Sequence, residues 1–313
     1  MQYKAPKIYF SSHIETILPS LLRKVKDVNY QRERIETPDN DFLDLDWLRA
    51  ENNNLVVICH GLEGSSDRPY VKGMARALHM NGLDILAWNY RGCSGEMNRN
   101  LRFYHSGATD DLDLVINHGL KLGYESVILI GFSLGGNLVL KYCGENGSEI
   151  NSKVKKVIAF SVPLDLAAGS KKISESSNFI YERRFLNNLE LKVAEKSRLM
   201  PDKLTTDHFQ KIKTLYDFDD HYTAPIHGFK NAKDYYQKCS SINYVSSINI
   251  PALIVNAKND PFLPEECYPK ELLERNENIV FEFPEKGGHV GFTEFNKERI
   301  YWSEKRALKF IKE

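Results

Sequence analysis

A serine in a glycine-flanked turn is the first feature of this sequence that could do chemistry. Residues 131–135, GFSLG, match the pattern G-x-S-x-G, whose glycines allow a sharp strand-to-helix turn with the serine hydroxyl exposed at its tip. The apolar run VILIGF before Ser133 is typical of a strand buried on both faces, and apolar residues recur at helical spacing after it. We therefore predict that Ser133 is a nucleophile exposed at the end of a buried strand.

Such a serine needs a base to take its proton, and histidine is the usual one. His289, in EKGGHVGF, follows a predicted strand on a glycine-marked loop, where a base would reach the carboxyl edge of a sheet. Two other histidines fit structural roles better, because His118 lies inside a predicted helix and His79 ends one. We expect His289 to be the base.

The base in turn needs an acid to hold its orientation, and Asp260 is the candidate. It stands in NAKNDPFLP, just after a strongly apolar strand, and the chain order Ser133, Asp260, His289 is that of the Ser-Asp-His arrangement built on a nucleophile elbow. The alternative is a turn-forming aspartate before proline. Three further aspartates lie at a helix start, where carboxylates ordinarily offset the helix dipole: Asp110, Asp111 and Asp113.

A tetrahedral intermediate also needs hydrogen-bond donors for its oxyanion. One is expected to be the backbone N–H of Leu134, which follows the nucleophile, and the other the N–H of Leu62 in the loop CHGLEGSS. His60 and Gly61 would shape that loop. A purely structural strand-to-helix turn would have the same sequence pattern.

The elements that must position these residues alternate along the chain. Strand-like segments such as NLVVICHG, LDILAWNYRG, SVILIGFS and KVKKVIAFSVP are separated by helix-like segments, which predicts an α/β fold with a mostly parallel, doubly wound sheet. Two alternating segments joined at residues 38–40 precede them and predict an antiparallel pair.

The alternation lapses in one long stretch, which predicts an insertion. It is rich in charged and aromatic residues, contains helix-like segments such as NNLELKVAEKSRLM and TTDHFQKIKTLYDF, and has no convincing buried strand. The predicted division is a core at 1–164, a helical cap at 165–243 and the rest of the core at 244–313.

Composition limits the classes of partner. Lysine and arginine together number 42, as do aspartate and glutamate, so no charge excess favours nucleic acid, and a small neutral substrate fits best. The five scattered cysteines lack the spacing of a zinc site or a disulfide framework. No segment resembles a signal peptide or a membrane span, so we expect a cytoplasmic protein, leaving open peripheral membrane contact through the N-terminus and the oligomeric state.

Several segments together resemble the YheT-like branch of the α/β-hydrolase superfamily. They are HGLEGSSDRPYV, WNYRGCSG, RFYHSGATDDL, GFSLGGNLVLKY, YDFDDHYTAPIHGF, NDPFLP, GGHVGF and the N-terminal SSHIETILPSL. This branch contains bacterial esterases and relatives of medium-chain fatty-acid ethyl ester synthases/esterases. The resemblance implies an α/β-hydrolase fold with a cap over the site and a triad at Ser133, Asp260 and His289.

The expected reaction is cleavage of a small acyl ester, of short to medium chain length or a lipid, through an acyl-enzyme. Acyl transfer to an alcohol, thioester or amide cleavage, and ligand sensing through an idle pocket remain alternatives. A dehalogenase is disfavoured because its elbow nucleophile would be aspartate. No cofactor and no metal are predicted, although one segment clusters potential ligands that more often cap helices or face solvent: Asp217, Asp219, Asp220, His221 and His227.

Overall fold

An eight-stranded sheet forms the centre of the protein. A computed structural model describes residues 1–273 and 275–313. The spatial strand order is β1-β2-β4-β3-β5-β6-β7-β8, and all neighbours from β4 to β8 pair in parallel, whereas β1 with β2 and β2 with β4 are antiparallel. The strands are β1 Gln31–Glu36, β2 Phe42–Leu48, β3 Asn54–Cys59, β4 Asp84–Asn89, β5 Ser126–Phe132, β6 Val154–Phe160, β7 Ala252–Val255 and β8 Ile279–Glu282.

Helices cover both faces of this sheet. The described α-helices are α1 Ser12–Leu22, α2 Pro69–His79, α3 Thr109–Lys121, α4 Leu134–Asn146, α5 Leu166–Ile173, α6 Phe179–Leu199, α7 Leu215–Phe218, α8 Ala224–Ile226, α9 Ala232–Cys239, α10 Lys270–Leu273 and α11 Trp302–Lys312. The predicted mostly parallel α/β sheet is therefore confirmed.

Strand β3 illustrates why its sequence is apolar without a break. Leu55 and Val57 pack into the core on the face covered by α3 and α4, and Val56 and Ile58 pack into the core on the opposite face, against α2 and α11. Because both faces are buried, no position in the middle of the strand tolerates contact with water. Because β3 to β8 are parallel, their carboxyl ends share one edge of the sheet. The candidate residues follow β3, β5, β7 and β8 at that edge.

The stretch between β6 and β7 contains helices joined by turns and no strand, and all of its residues are described. Its longest helix, α6, contributes Leu186, Leu189 and Val193 to a separate apolar cluster that also includes Phe218 and Tyr222. The helix predicted over TTDHFQKIKTLYDF is wrong as a continuous element. It is divided into a 3₁₀ turn at Asp207–Lys211 and the short α7, because Thr214 takes an extended conformation and caps α7 with its side chain.

Helix α1 was not expected from the sequence. It begins after Ser11, whose side chain accepts the backbone N–H of His13, and continues through Pro19. Among the described residues, no helix combines the length and the apolar character that crossing a membrane requires. The division into core and cap at 1–164, 165–243 and 244–313 stays a prediction.

Candidate active site

Ser133 occupies a strained corner between β5 and α4. Its φ of 54° and ψ of −119° lie in a region that residues with a side chain rarely adopt, and its N–H donates to the Phe160 carbonyl at 2.9 Å. A Cβ on Gly131 would overlap the backbone of Gly135, and a Cβ on Gly135 would overlap the carbonyl oxygens of Cys59 and His60. Both motif glycines are therefore required by close backbone approach.

The corner brings the three sequence-predicted side chains together. His289 Nε2 lies 2.9 Å from Ser133 Oγ, and His289 Nδ1 lies 2.9 Å from Asp260 Oδ2 and 3.1 Å from Oδ1. The Asp260 side chain is fully buried, and its Oδ1 also accepts the N–H of Phe262 at 2.9 Å. Nδ1–H donation to this carboxylate leaves Nε2 as the acceptor that faces the serine hydroxyl.

Three backbone N–H groups of the loop that carries His289 donate hydrogen bonds to side chains of other segments. Thr16 Oγ1 accepts the His289 N–H at 2.9 Å, and Glu15 Oε2 accepts the Gly287 N–H at 2.8 Å. Ser161 Oγ accepts the Val290 N–H at 2.9 Å. Val290 itself has a φ of 59°, so these bonds stabilise a loop with strained backbone.

The loop after β3 lies against Ser133. A Cβ on Gly61 would come within 3.2 Å of the Ser133 Cβ, and the Gly61 N–H donates to Tyr70 Oη at 2.9 Å. His60 Nδ1 lies 2.8 Å from the Gly61 carbonyl, and burial lowers the pKa of His60 to about 3, so its imidazole is neutral. The N–H groups of Leu62 and Leu134 make no hydrogen bond with any residue in the described part of the chain.

Two cavities meet at Ser133. The first lies beneath the helical stretch between β6 and β7. Apolar side chains that line it include Leu62, Phe103, Leu166, Ile173, Phe185, Leu189, Val193, Leu215, Phe218 and Ile226. The second lies between α1 and the Gly61 loop and is lined by His289, Tyr70, Arg68 and Arg184 among others. A bond attacked by Ser133 could therefore have one substituent in each cavity.

Asp219 is an acidic side chain in the lining of the first cavity. Its carboxylate accepts hydrogen bonds from Thr223 Oγ1 at 2.6 Å and Tyr236 Oη at 2.7 Å. Burial raises the pKa of Asp219 to about 6, outweighing these two hydrogen bonds, which lower it. Burial also holds the pKa of His105, which lines the same cavity, well below its usual value.

The other members of the acidic and histidine-rich segment have internal partners. Asp217 Oδ2 accepts the Thr214 N–H at 2.9 Å and Asp220 Oδ1 accepts the Ala232 N–H at 2.9 Å. The His221 ring stacks on His208, and His227 Nδ1 lies 2.7 Å from the Thr223 carbonyl. Over residues 1–273 and 275–313, no three or more His, Cys, Asp or Glu side chains are arranged to hold a metal ion.

The competing aspartates are engaged elsewhere. Asp111 forms a buried ion pair with Arg91 at 2.7 Å, and Asp113 Oδ1 accepts the Tyr142 hydroxyl at 2.8 Å. Asp110 pairs with Arg102 at 2.7 Å. Of the competing histidines, His118 lies on α3, where its Nε2 is 3.1 Å from a Glu33 carboxylate oxygen, and His79 is the last residue of α2.

Sequence reasoning missed several residues around the site. Glu15, Thr16 and Ser161 support the histidine loop from 272, 273 and 129 positions away in sequence, and Tyr70 supports the Gly61 loop from nine positions away. The N-terminal segment SSHIETILPSL was part of the family resemblance, and this was the only available signal for Glu15 and Thr16. A hydroxyl or carboxylate that only binds a backbone N–H leaves no spacing pattern.

Known proteins are similar to this chain in sequence and in fold. The family described as alpha/beta hydrolase fold matches residues 54–295. The "Putative esterase YheT" of Escherichia coli (strain K12) is 34% identical over 292 residues, which cover 91% of this chain and 85% of that protein. Phospholipase ABHD3 of Bos taurus is 29% identical over 297 residues, covering 91% of this chain and 72% of that protein.

Among solved structures, the Pyrococcus furiosus esterase Pf2001 superposes with a TM-score of 0.57 at 21% identity, covering 91% of this chain and 92% of that one. At this identity the likeness concerns the fold. Together with the family match over residues 54–295 and the identity to YheT, it establishes what the alternating strands and the glycine-flanked serine suggested: this chain belongs to the α/β-hydrolase superfamily.

Proposed function

We propose that the protein is a serine-dependent carboxylic ester hydrolase that works through an acyl-enzyme. The observation that carries the proposal is the continuous hydrogen-bond chain from Ser133 Oγ through the His289 ring to the buried carboxylate of Asp260, with 2.9 Å at each step. The esterase and phospholipase names of its relatives agree with this chemistry.

In the first half-reaction, Ser133 Oγ attacks the ester carbonyl carbon while His289 Nε2 takes the hydroxyl proton. Asp260 stabilises the resulting imidazolium and fixes the ring orientation. The C–O bond to the alcohol then breaks, and the alcohol leaves with the proton from His289. Water repeats these steps on the acyl-enzyme, releasing the carboxylic acid and restoring Ser133.

The negative charge on the tetrahedral intermediate needs donors placed in advance. The backbone N–H groups of Leu62 and Leu134 are proposed for this role, because each is uncommitted among the described residues and each belongs to a segment that borders Ser133. The contact of His60 Nδ1 with the Gly61 carbonyl at 2.8 Å supports this assignment, since it fixes the loop that carries the Leu62 N–H. Removing one such donor from a hydrolase typically lowers kcat by about 100-fold to 1000-fold.

The two cavities suggest how an ester would lie. The apolar cavity beneath the insertion suits the acyl chain, and the cavity that contains Arg68 and Arg184 suits the alcohol portion. We also propose that residues 165–243 act as the cap domain, because α6 contributes Leu189 and Val193 to the wall of the first cavity. The acyl preference would then be set by the insertion.

The decisive experiment compares Ser133→Ala with wild type on a short-chain p-nitrophenyl ester. We expect kcat to fall by about 1000-fold or more, and fluorophosphonate labelling to be lost with it. Ser148→Ala is the matched control, since Ser148 is exposed near the opposite end of α4. An unchanged rate in Ser133→Ala would refute the proposal.

The alternatives give different results in the same assay. Ester product formed on adding an alcohol would indicate acyl transfer. A faster reaction with the matched thioester would indicate a thioesterase. An unlabelled wild-type protein without turnover would indicate a ligand-binding role.

A further inference from the structure

An ion pair joins the insertion to the loop that carries the Leu62 N–H. Lys192 Nζ, on α6, lies 2.8 Å from Glu63 Oε1 although the two residues are 129 positions apart in sequence. Their side chains expose only 11% and 9% of their surface, respectively. Such a pair is far less screened by solvent than one on the surface.

Glu63 is also fixed by its own backbone. Its φ of 50° is in the left-handed region, which is costly for a residue with a side chain. Its N–H donates to Tyr104 Oη at 2.8 Å, and the Tyr104 hydroxyl donates to Glu63 Oε1 at 2.6 Å. The strained conformation of the residue that follows Leu62 is therefore stabilised by Lys192 and Tyr104 acting on one carboxylate.

The surroundings of Lys192 favour its charged form. Burial opposes the positive charge of Lys192, but the electrostatic effects of Cys93 and Glu63 outweigh it, so the pKa of Lys192 is raised. Lys192 Nζ also lies 3.1 Å from Cys93 Sγ, and burial raises the pKa of that thiol to about 11. Arg68 completes the surroundings by donating to the Glu63 carbonyl at 2.5 Å.

We propose that Lys192 is a positioning residue that, through Glu63, holds the Leu62 N–H in the orientation that binds the oxyanion. This inference rests on the proposed ester hydrolysis and adds a residue from the insertion to it. Lys192 lines the acyl cavity and Glu63 lines the cavity on the other side of Ser133, so the pair forms part of the wall between them at Leu62.

The consequence is that loss of the pair acts on the transition state more than on the bound substrate. The carbonyl oxygen gains most of its negative charge only after Ser133 attacks. A Leu62 N–H turned away from that oxygen therefore lowers kcat and leaves KM nearly unchanged. If Lys192 only stabilised the fold, its replacement would lower the melting temperature without lowering kcat while KM stays nearly unchanged.

The test measures kcat, KM and the inhibition constant of an aliphatic trifluoromethyl ketone, which adds to the active serine and places an oxyanion in the hole. In Lys192→Met we expect kcat to fall by about 10-fold to 100-fold, KM to stay within about twofold, and the ketone to bind more weakly in proportion. Lys192→Arg should recover most of the activity because it keeps the charge.

Lys172→Met is the matched control, since it removes a partly exposed lysine on α5 that pairs with Glu175. It should behave like wild type. Should Lys192→Met fail to fold, Glu63→Gln supplies the same comparison, because its amide oxygen still accepts from Tyr104 while the charge is lost.

Two results separate this inference from the proposed function. If Ser133→Ala is inactive but Lys192→Met and Glu63→Gln keep kcat and ketone affinity within about twofold of wild type, the positioning role is wrong and ester hydrolysis stands. If Ser133→Ala keeps its full rate, both are wrong.

Discussion

Thr16 and His289 are 273 residues apart in sequence, and Thr16 Oγ1 accepts the His289 N–H at 2.9 Å. The same threonine hydroxyl donates to the Ser12 carbonyl one turn earlier in α1, at 2.8 Å. A Cβ on Gly288 would come within 2.8 Å of both Thr16 Oγ1 and the Glu15 Cβ. The first helix thus closely packs against the backbone of the last loop of the site and sets the position of its histidine.

Replacing Thr16 by valine tests this support. Valine keeps the shape but offers no acceptor, so the His289 N–H is left unpaired and the loop shifts to satisfy it. We expect kcat to fall by about tenfold, corresponding to roughly 1.4 kcal/mol of lost transition-state stabilisation. Steady-state kinetics on a p-nitrophenyl ester would measure it.

The control for this prediction is Thr109→Val, which removes an exposed hydroxyl bound to Glu145 at the start of α3. An undiminished kcat in Thr16→Val, with Thr109→Val also active, would mean that α1 does not position His289.

A second prediction concerns the tautomer of His289. In the variant Asp260→Asn, the new side-chain amide could present an N–H to His289 Nδ1, which would favour the tautomer with the proton on Nε2 and leave Ser133 without a base. We expect this change to lower kcat by about 10⁴-fold, the loss known for such a change in serine hydrolases, with little change in melting temperature. Steady-state kinetics and thermal unfolding of the purified variant would measure both quantities.

Asp113→Asn serves for comparison, because Asp113 accepts the Tyr142 hydroxyl away from the site. If Asp260→Asn lost no more activity than Asp113→Asn, Asp260 would be a turn residue only.

The elements of this protein were more predictable than the contacts between them. Continuous apolar runs such as residues 127–132 predicted buried parallel strands, because a strand covered on both faces has no other composition. The elbow at Ser133 was predictable because close backbone approach requires a glycine at both 131 and 135, which leaves a recognisable spacing in the sequence. A meeting of Ser133, Asp260 and His289 was predictable because each follows a parallel strand, and the carboxyl ends of those strands share one edge of the sheet.

The supporting contacts were not predictable, for a physical reason. The contact of helix α1 with the His289 loop and the Glu63–Lys192 pair are set by which segments meet at the carboxyl edge of the sheet. One hydrogen bond between distant residues imposes no periodicity on either segment. The single short helix predicted over TTDHFQKIKTLYDF was wrong because the capping preference of Thr214 outweighed helical spacing and divided the segment before α7.

A third prediction addresses the cavity proposed for the acyl chain. Leu189 is buried on α6 and lines this cavity, so Leu189→Trp would fill part of it. We expect kcat/KM for a dodecanoyl ester to fall by about tenfold or more, while that for an acetyl ester stays within about twofold. A series of p-nitrophenyl esters of increasing chain length would locate the change.

Leu191→Trp is the matched control, since Leu191 lies on the same helix and exposes 69% of its surface. Equal losses on acetyl and dodecanoyl esters in Leu189→Trp would argue that the acyl chain lies elsewhere.

The last prediction concerns stability and Asp219. Burial raises the pKa of this carboxyl from 3.8 to about 6 in the folded protein. Below pH 3.8 both the folded and the unfolded states hold the proton. Between 3.8 and 6 the unfolded state loses a proton that the folded state keeps, so the free energy of unfolding decreases as the pH rises. Above pH 6 both states have lost the proton, and this carboxyl no longer changes the free energy of unfolding with pH.

Asp219→Asn removes this dependence. The amide oxygen can still accept from Thr223 or Tyr236. We therefore expect the free energy of unfolding of the variant, relative to that of wild type, to increase by about 2 to 3 kcal/mol as the pH rises from below 3.8 to above 6. Urea unfolding at several pH values measures the difference. Asp234→Asn should show the opposite trend, because its hydrogen bond with Lys238 lowers the pKa of Asp234. A difference between wild type and Asp219→Asn that does not change with pH would show that Asp219 titrates normally.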